Sequence, residues 1–175
     1  MDEPIYDAKT FWELFIRRVE LSGDKKMLID DSDRSLTFSE VKEKVEKTAS
    51  GFMELGVRKG TPVTWVLPTR IETIVTSLAL SRVGAVQNPI IHIYREREVG
   101  FCIRQTSSEL VLVPGEWNGF DYQEMVRNST ADMVNPPKIV QIYDNLPEGD
   151  PQNLPEENNS NSEEPIRWIY YTSGT

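Results

Sequence analysis

The chain has 175 residues, 38% of them hydrophobic and 27% charged, the composition of one folded domain with a real core rather than of a disordered chain. Its 19 basic and 28 acidic residues leave a formal charge of −9, which argues against nucleic acid as a partner. A single cysteine, Cys102, excludes an internal disulfide, and no apolar run reaches the roughly 18 residues of a membrane span. The opening residues Met1-Asp2-Glu3-Pro4 have neither the basic nor the apolar region of a secretory signal, so no transmembrane segment and a cytoplasmic location are expected.

Thr10-Phe11-Trp12-Glu13 has capping-box spacing, and Phe11, Leu14, Phe15 and Val19 follow at helical intervals, predicting a helix over residues 10–21. Met27-Leu28-Ile29 and Ser35-Leu36-Thr37-Phe38 flank an acidic cluster, Asp30-Asp31-Ser32-Asp33. The pattern reads as a hairpin with a solvated turn, since the glycine and distal glutamate of a calcium loop are missing. Thr37-Phe38-Ser39-Glu40 is a second capping box before Val41, Val45, Ala49, Phe52 and Leu55, with Gly56 as the terminating glycine. Residues 63–67 form an apolar strand. Thr69-Arg70-Ile71-Glu72 has the spacing of a third box, and Gly84 closes the helix it opens.

Residues 85–91 read as another buried strand, with Pro89 pointing to an edge or irregular position. A helix over 95–106 carries Val99, Cys102 and Ile103 inward, which makes Cys102 a core thiol rather than a nucleophile. A strand over 109–113 stops at Pro114-Gly115. Asp121-Tyr122-Gln123-Glu124 opens a helix to about residue 132, and residues 138–143 are a further strand. Residues 144–165 change character, with seven acidic residues, no basic ones and four prolines; they read as a flexible acidic loop. Beyond it, Arg167-Trp168-Ile169-Tyr170-Tyr171 reads as a buried strand. Helices alternating with apolar strands from residue 39 onward predict an α/β fold, a mostly parallel sheet with flanking helices.

Ligands in such sheets bind beyond the carboxyl ends of strands, where loops meet helix N-termini. Thr172-Ser173-Gly174-Thr175 lies at such an end. Its hydroxyls and amides suit phosphate oxygens, directly or through magnesium, although a plain turn after a strand stays open on these four residues alone. No GxxxxGK[ST] loop occurs. His92, the only histidine, reads as a structural or surface residue rather than a general base.

Tyr170-Tyr171-Thr172-Ser173-Gly174-Thr175 resembles the opening of the phosphate-binding loop of the adenylate-forming (AMP-binding) superfamily, the acyl-CoA synthetases and ligases. Leu36-Thr37-Phe38-Ser39-Glu40-Val41 is similar to that family's "T-Y-x-E-L" helix entry. Gly56-Val57-Arg58-Lys59-Gly60-Thr61-Pro62-Val63 is similar to its "L-G-x-x-x-G-D-x-V" step, with Thr61-Pro62 at the usual aspartate position. Gly84-Ala85-Val86 and Asn88-Pro89 match its "G-A-V" and "N-P" steps. Stretches 88–96 and 117–122 look most like the CoA-ligase branch acting on fatty or cyclic carboxylic acids.

The resemblance implies that residues 1–175 are a partial AMP-binding domain, the N-terminal part of the large domain of an ATP-dependent carboxylic acid:CoA ligase. In the family, a carboxylate attacks the α-phosphate of ATP to give an acyl-adenylate and pyrophosphate, and a thiol, usually of CoA, then displaces AMP. ATP, Mg2+, CoA and a carboxylic acid are therefore the implied ligands of the parent, with Thr172, Ser173, Gly174 and Thr175 in the ATP phosphate loop. The family's loop lysine, magnesium-binding glutamate, ribose-binding aspartate and C-terminal-domain lysine have no counterpart positions here. No catalytic or metal-ligating residue is assigned, and the 175-residue chain alone is expected to be inactive and to bind none of these ligands tightly. The alternative is a naturally short, non-catalytic α/β binding or interaction module derived from the family.

Overall fold

Thr10 starts the first helix, α1 (Phe11–Ser22): its hydroxyl accepts from the Glu13 amide at 3.0 Å, while the Glu13 carboxylate accepts from the Lys9 amide at 2.7 Å. The computed structural model describes residues 8–156 and 166–172. Trp12 and Phe15 face inward from α1 with ring centroids 5.3 Å apart. Strands β1 (Lys26–Ile29) and β2 (Ser35–Thr37) pair antiparallel. The turn between them is held by the Asp30 carboxylate, which accepts from the amides of Ser32 and Arg34, each at 3.0 Å. Helix α2 (Phe38–Glu54) begins at Thr37 with both halves of the capping box formed, and Gly56 follows its end at φ +103°, a conformation that favours glycine.

Strand β3 (Pro62–Trp65), helix α3 (Ile71–Val83), strand β4 (Val86–Pro89), helix α4 (Glu96–Thr106), strand β5 (Leu110–Val113), the short hairpin β6 (Glu116–Trp117) and β7 (Phe120–Asp121), helix α5 (Tyr122–Thr130) and strand β8 (Lys138–Gln141) complete the main elements. The principal sheet is parallel throughout, in the order β4-β3-β5-β8. Alternation along the strands sends Val63, Leu110 and Leu112 into one core with α1, α2 and α3, where Phe52 and Leu78 are fully enclosed. Val66, Ile90, Val111 and Val113 join Val99, Ile103, Met125 and Val126 of α4 and α5 in a second core on the other face. Helices on both faces of a parallel sheet make this the expected α/β architecture. As Pro89 indicated, β4 stands at the edge of the four strands, and the proline falls at its end.

Two expectations need correction. Thr69 does not cap α3. The helix starts after Arg70 with no side-chain cap, because Glu72 is drawn into ion pairs with Arg34 (2.8 Å) and Arg70 (3.4 Å) instead of reaching back. The segment around Trp168 is not a buried strand: it touches the sheet through one parallel bridge, Gln87 to Trp168, and Ile166 and Tyr170 are 68% and 67% exposed. The β6–β7 hairpin is an additional element, and its turn, Asn118-Gly119, carries positive φ at both residues, as a type I′ turn requires.

Residues 144–156, the described part of the acidic segment, run along α2. The Gly149 amide donates to the Lys47 carbonyl at 3.0 Å, the Ser50 hydroxyl donates to the Asp150 carbonyl at 2.7 Å, and Arg82 donates to the Pro155 carbonyl at 2.8 Å. Leu146 and Leu154 pack on the core. The approach is close enough that a Cβ on Gly51 would lie 2.5 Å from the Pro147 carbonyl carbon. The rest of the segment, 157–165, lies outside the described residues.

Candidate functional site

Parallel strands bring all their carboxyl ends to one edge of the sheet, where the turns after β3, β4 and β5 and the end of the 166–172 segment collect. That segment is hung on β4 by two backbone hydrogen bonds: the Gln87 amide donates to the Arg167 carbonyl at 2.8 Å, and the Ile169 amide donates to the Gln87 carbonyl at 2.9 Å. The Arg167 guanidinium adds a bond to the Gly84 carbonyl at 3.2 Å. Side chains then alternate. Trp168 and Tyr170 stack on one another at 5.8 Å and 9°, whereas Tyr171 turns toward α4 and meets Phe101 edge-to-face at 6.0 Å. Partial burial pushes the Tyr171 phenol above its ordinary range, and the nearby Cys102 adds to the shift.

The segment delivers Thr172, exposed, to the edge where the phosphate loop was expected. Ser173, Gly174 and Thr175 lie outside the described residues, so of the four candidate residues only Thr172 is placed. Among the described residues no group of three or more His, Cys, Asp or Glu side chains is arranged to hold a metal ion.

The other residues weighed for chemistry fall into structural roles. Cys102 is buried, and burial, followed by the charge of Glu98, pushes its thiol up, away from the thiolate a nucleophile needs. The His92 ring packs edge-on against Trp117 at 4.9 Å, and its carbonyl accepts from the Tyr122 hydroxyl and from Arg95, both at 2.9 Å. Arg95 in turn lies 4.3 Å over the Phe120 ring, so hairpin β6–β7 buttresses the loop after β4.

Two polar groupings escaped the sequence reading. Gln87 and Asn88 are each 1% exposed inside the edge strand. Asn88 donates to the Thr64 hydroxyl at 2.9 Å, Thr64 and Ser108 bond each other, and Ser108 meets the hydroxyl of half-buried Thr106, the last residue of α4, at 2.7 Å. The second grouping is ionic. Arg34 links Asp30 (2.6 Å) to Glu72, and Arg70 links Glu72 to Asp144 (2.7 Å) while stacking 3.9 Å over the Tyr143 ring. Burial opposes ionisation of Glu72, but hydrogen bonds from Arg34 and the charges of Arg34 and Arg70 outweigh it and hold the carboxyl below its ordinary value. The signal for Gln87 and Asn88 was available, since two adjacent amides inside an apolar strand call for partners.

A parallel sheet wrapped on both faces by helices defines an α/β domain of the open-sheet class. The family of AMP-binding enzymes matches residues 15–175, and the chain belongs to that family. Among its relatives is an acetyl-coenzyme A synthetase of Rubrobacter xylanophilus, 29% identical over 140 residues that cover 77% of this chain and 22% of the relative. Another is a 2,3-dihydroxybenzoate-AMP ligase of Bacillus subtilis, 24% identical over 133 residues, 76% of this chain and 24% of the relative. The same fold occurs in the o-succinylbenzoate CoA synthetase of Bacillus subtilis solved with an acyl-adenylate intermediate. Its TM-score is 0.66 at 19% identity, over 95% of this chain and 40% of that one. The N-terminal domain of FACL13 from Mycobacterium tuberculosis gives a TM-score of 0.65 at 20% identity, over 77% of this chain and 34% of that one. The chain spans about a quarter of the length of these two curated relatives.

Proposed function

We propose that this chain supplies the N-terminal part of the large domain of an ATP-dependent carboxylic acid:CoA ligase, and that Thr172, Ser173, Gly174 and Thr175 begin its ATP phosphate loop. The observation that carries the reading is the 166–172 segment. It runs parallel to β4 and ends with Thr172 exposed at the carboxyl edge of the sheet. Acetyl-coenzyme A synthetases recur among the relatives, which favours CoA as the thiol acceptor. Hydroxyls and amides of this loop would hold phosphate oxygens of ATP, with Mg2+ neutralising the charge that builds there. This chain's own contribution is positional: β4 fixes where the segment leaves the sheet, Tyr171 on Phe101 fixes its rotation, and Thr172 follows as an exposed residue.

By this reading the 175-residue chain alone releases no pyrophosphate from MgATP, CoA and a panel of carboxylic acids. A longer product read through the Thr175 codon catalyses acid-dependent ATP–pyrophosphate exchange. Pyrophosphate release by the 175 residues alone, or no acid-dependent exchange by the longer product, overturns it. A stop codon directly after Thr175 instead favours the second reading, a non-catalytic interaction module. That reading draws support from the exposed apolar residues Ile91, Ile93, Phe101 and Tyr170.

A further inference from the structure

Both backbone hydrogen bonds that attach the 166–172 segment to the sheet are made to one residue, Gln87; the Arg167 side chain adds a bond to the Gly84 carbonyl ahead of the strand. The side chain of Gln87 is fully committed in the opposite direction. Its amide nitrogen donates to the Ser77 carbonyl at 3.0 Å and to the Ser81 hydroxyl at 2.9 Å, both on α3. Its amide oxygen accepts from the Trp65 indole nitrogen at 3.3 Å, on neighbouring β3. The Ser81 hydroxyl is itself tied to the Ser77 carbonyl at 2.9 Å. Gln87 is 1% exposed, so none of these groups can turn to water without leaving an unpaired polar atom inside the protein.

An edge strand of four residues has little to fix its outward-facing peptide groups. We infer that Gln87 is a positioning residue: its side-chain amide, clamped between α3 and β3, holds in place the two peptide groups flanking its Cα, on which the segment leading into Thr172 hangs. Loss of the amide frees the Gln87 backbone to shift, and both bonds to residues 167 and 169 weaken together. The consequence is local, because β3 and β5 keep their own register through Val63 to Leu110 and Trp65 to Leu112. The functional meaning of the anchor rests on the phosphate-loop reading above, whereas the anchor itself is a property of the 175 residues.

The test is amide hydrogen exchange of the whole chain at pH 5, read residue by residue by mass spectrometry with fragmentation. The Val66 amide, bonded to the Leu112 carbonyl at 2.9 Å, serves as the internal reference for global stability. Gln87→Met keeps the volume and removes both donor and acceptor. It lowers Ile169 protection at least tenfold while Val66 stays within threefold of wild type. Gln87→Glu, protonated in this enclosed site, regains an O–H donor and a carbonyl acceptor and keeps Ile169 protection within threefold of wild type. Two results overturn the inference. One is Gln87→Met with Ile169 protection unchanged, which makes the residue a space-filler. The other is Ile169 falling in step with Val66 in both variants, which makes it a general stabiliser. No nucleotide is present, so a failed pyrophosphate-exchange assay leaves this result standing, and a lost anchor leaves the assay to be judged alone.

Discussion

Strand β5 and the 166–172 segment are both apolar runs, yet they end in opposite circumstances. Leu110, Val111, Leu112 and Val113 are bonded to β3 on one side and β8 on the other, and none is more than 3% exposed. The later run meets one neighbour through one residue and leaves Ile166, Tyr170 and Tyr171 in solvent. Apolar composition grants a segment the ability to be a strand, and neighbours on both sides decide whether it is buried. Tyrosine and arginine tolerate that half-covered state, each keeping a polar end in water above an apolar stem.

The contrast is broken most forcefully at the centre. Leu112→Ala removes a fully enclosed side chain from the larger core and costs about 2–5 kcal/mol in urea denaturation, whereas Tyr170→Ala stays within about 0.5 kcal/mol. Similar losses for the two would mean that the terminal segment is as much part of the core as β5. Gly51→Ala comes next. Its new methyl would sit 2.6 Å from the Pro147 carbonyl oxygen and 2.6 Å from the Glu148 amide nitrogen, so residues 144–156 must lift from α2. The expected cost is about 1–3 kcal/mol, with faster proteolytic cleavage in that stretch. Thr37→Ala removes the hydroxyl that accepts from the Glu40 amide at 3.2 Å and costs about 1 kcal/mol by the same denaturation.

The smallest effect concerns pH. Glu72 has its carboxyl held below the ordinary value of 4.5, so its contribution to stability is fully present above that value. It is lost as pH falls through the lower folded value. Wild type therefore loses more stability than Glu72→Gln on acidification from pH 5 to pH 3, read as the shift of the urea midpoint. Equal shifts would show that the Arg34–Glu72–Arg70 grouping does not couple the β1–β2 hairpin to α3.

The contrast also shows how far residues alone carry the structure. Helices α1, α2 and α5 were legible because Thr10, Thr37 and Asp121 cap them by contacts three residues long. The α3 start was not, because Glu72 answers to Arg34, 38 residues away, and no local pattern records that partner. The parallel sheet was legible from alternating strands and helices. The attachment of residues 144–156 was not, since Gly51 and Ser50 receive that stretch through backbone groups that composition does not show. Two adjacent amides at Gln87 and Asn88 signal a need for partners, but which partners they find could not be read. A glutamine's importance in a strand depends on which helix lies over it, here on Ser77 and Ser81.

In the proposed phosphate loop, Thr172 would present its hydroxyl to nucleotide phosphates from the edge of β4. Thr172→Val keeps the shape and removes only the hydroxyl. The direct test is acid-dependent ATP–pyrophosphate exchange by the product read through the Thr175 codon, comparing wild type with Thr172→Val. The expected result is a loss of roughly tenfold or more in kcat/KM for MgATP, the scale of one hydrogen bond to a charged group, with the KM for the carboxylic acid unchanged. Exchange that proceeds at the wild-type rate and MgATP dependence in Thr172→Val would contradict the placement of the phosphate loop at this edge.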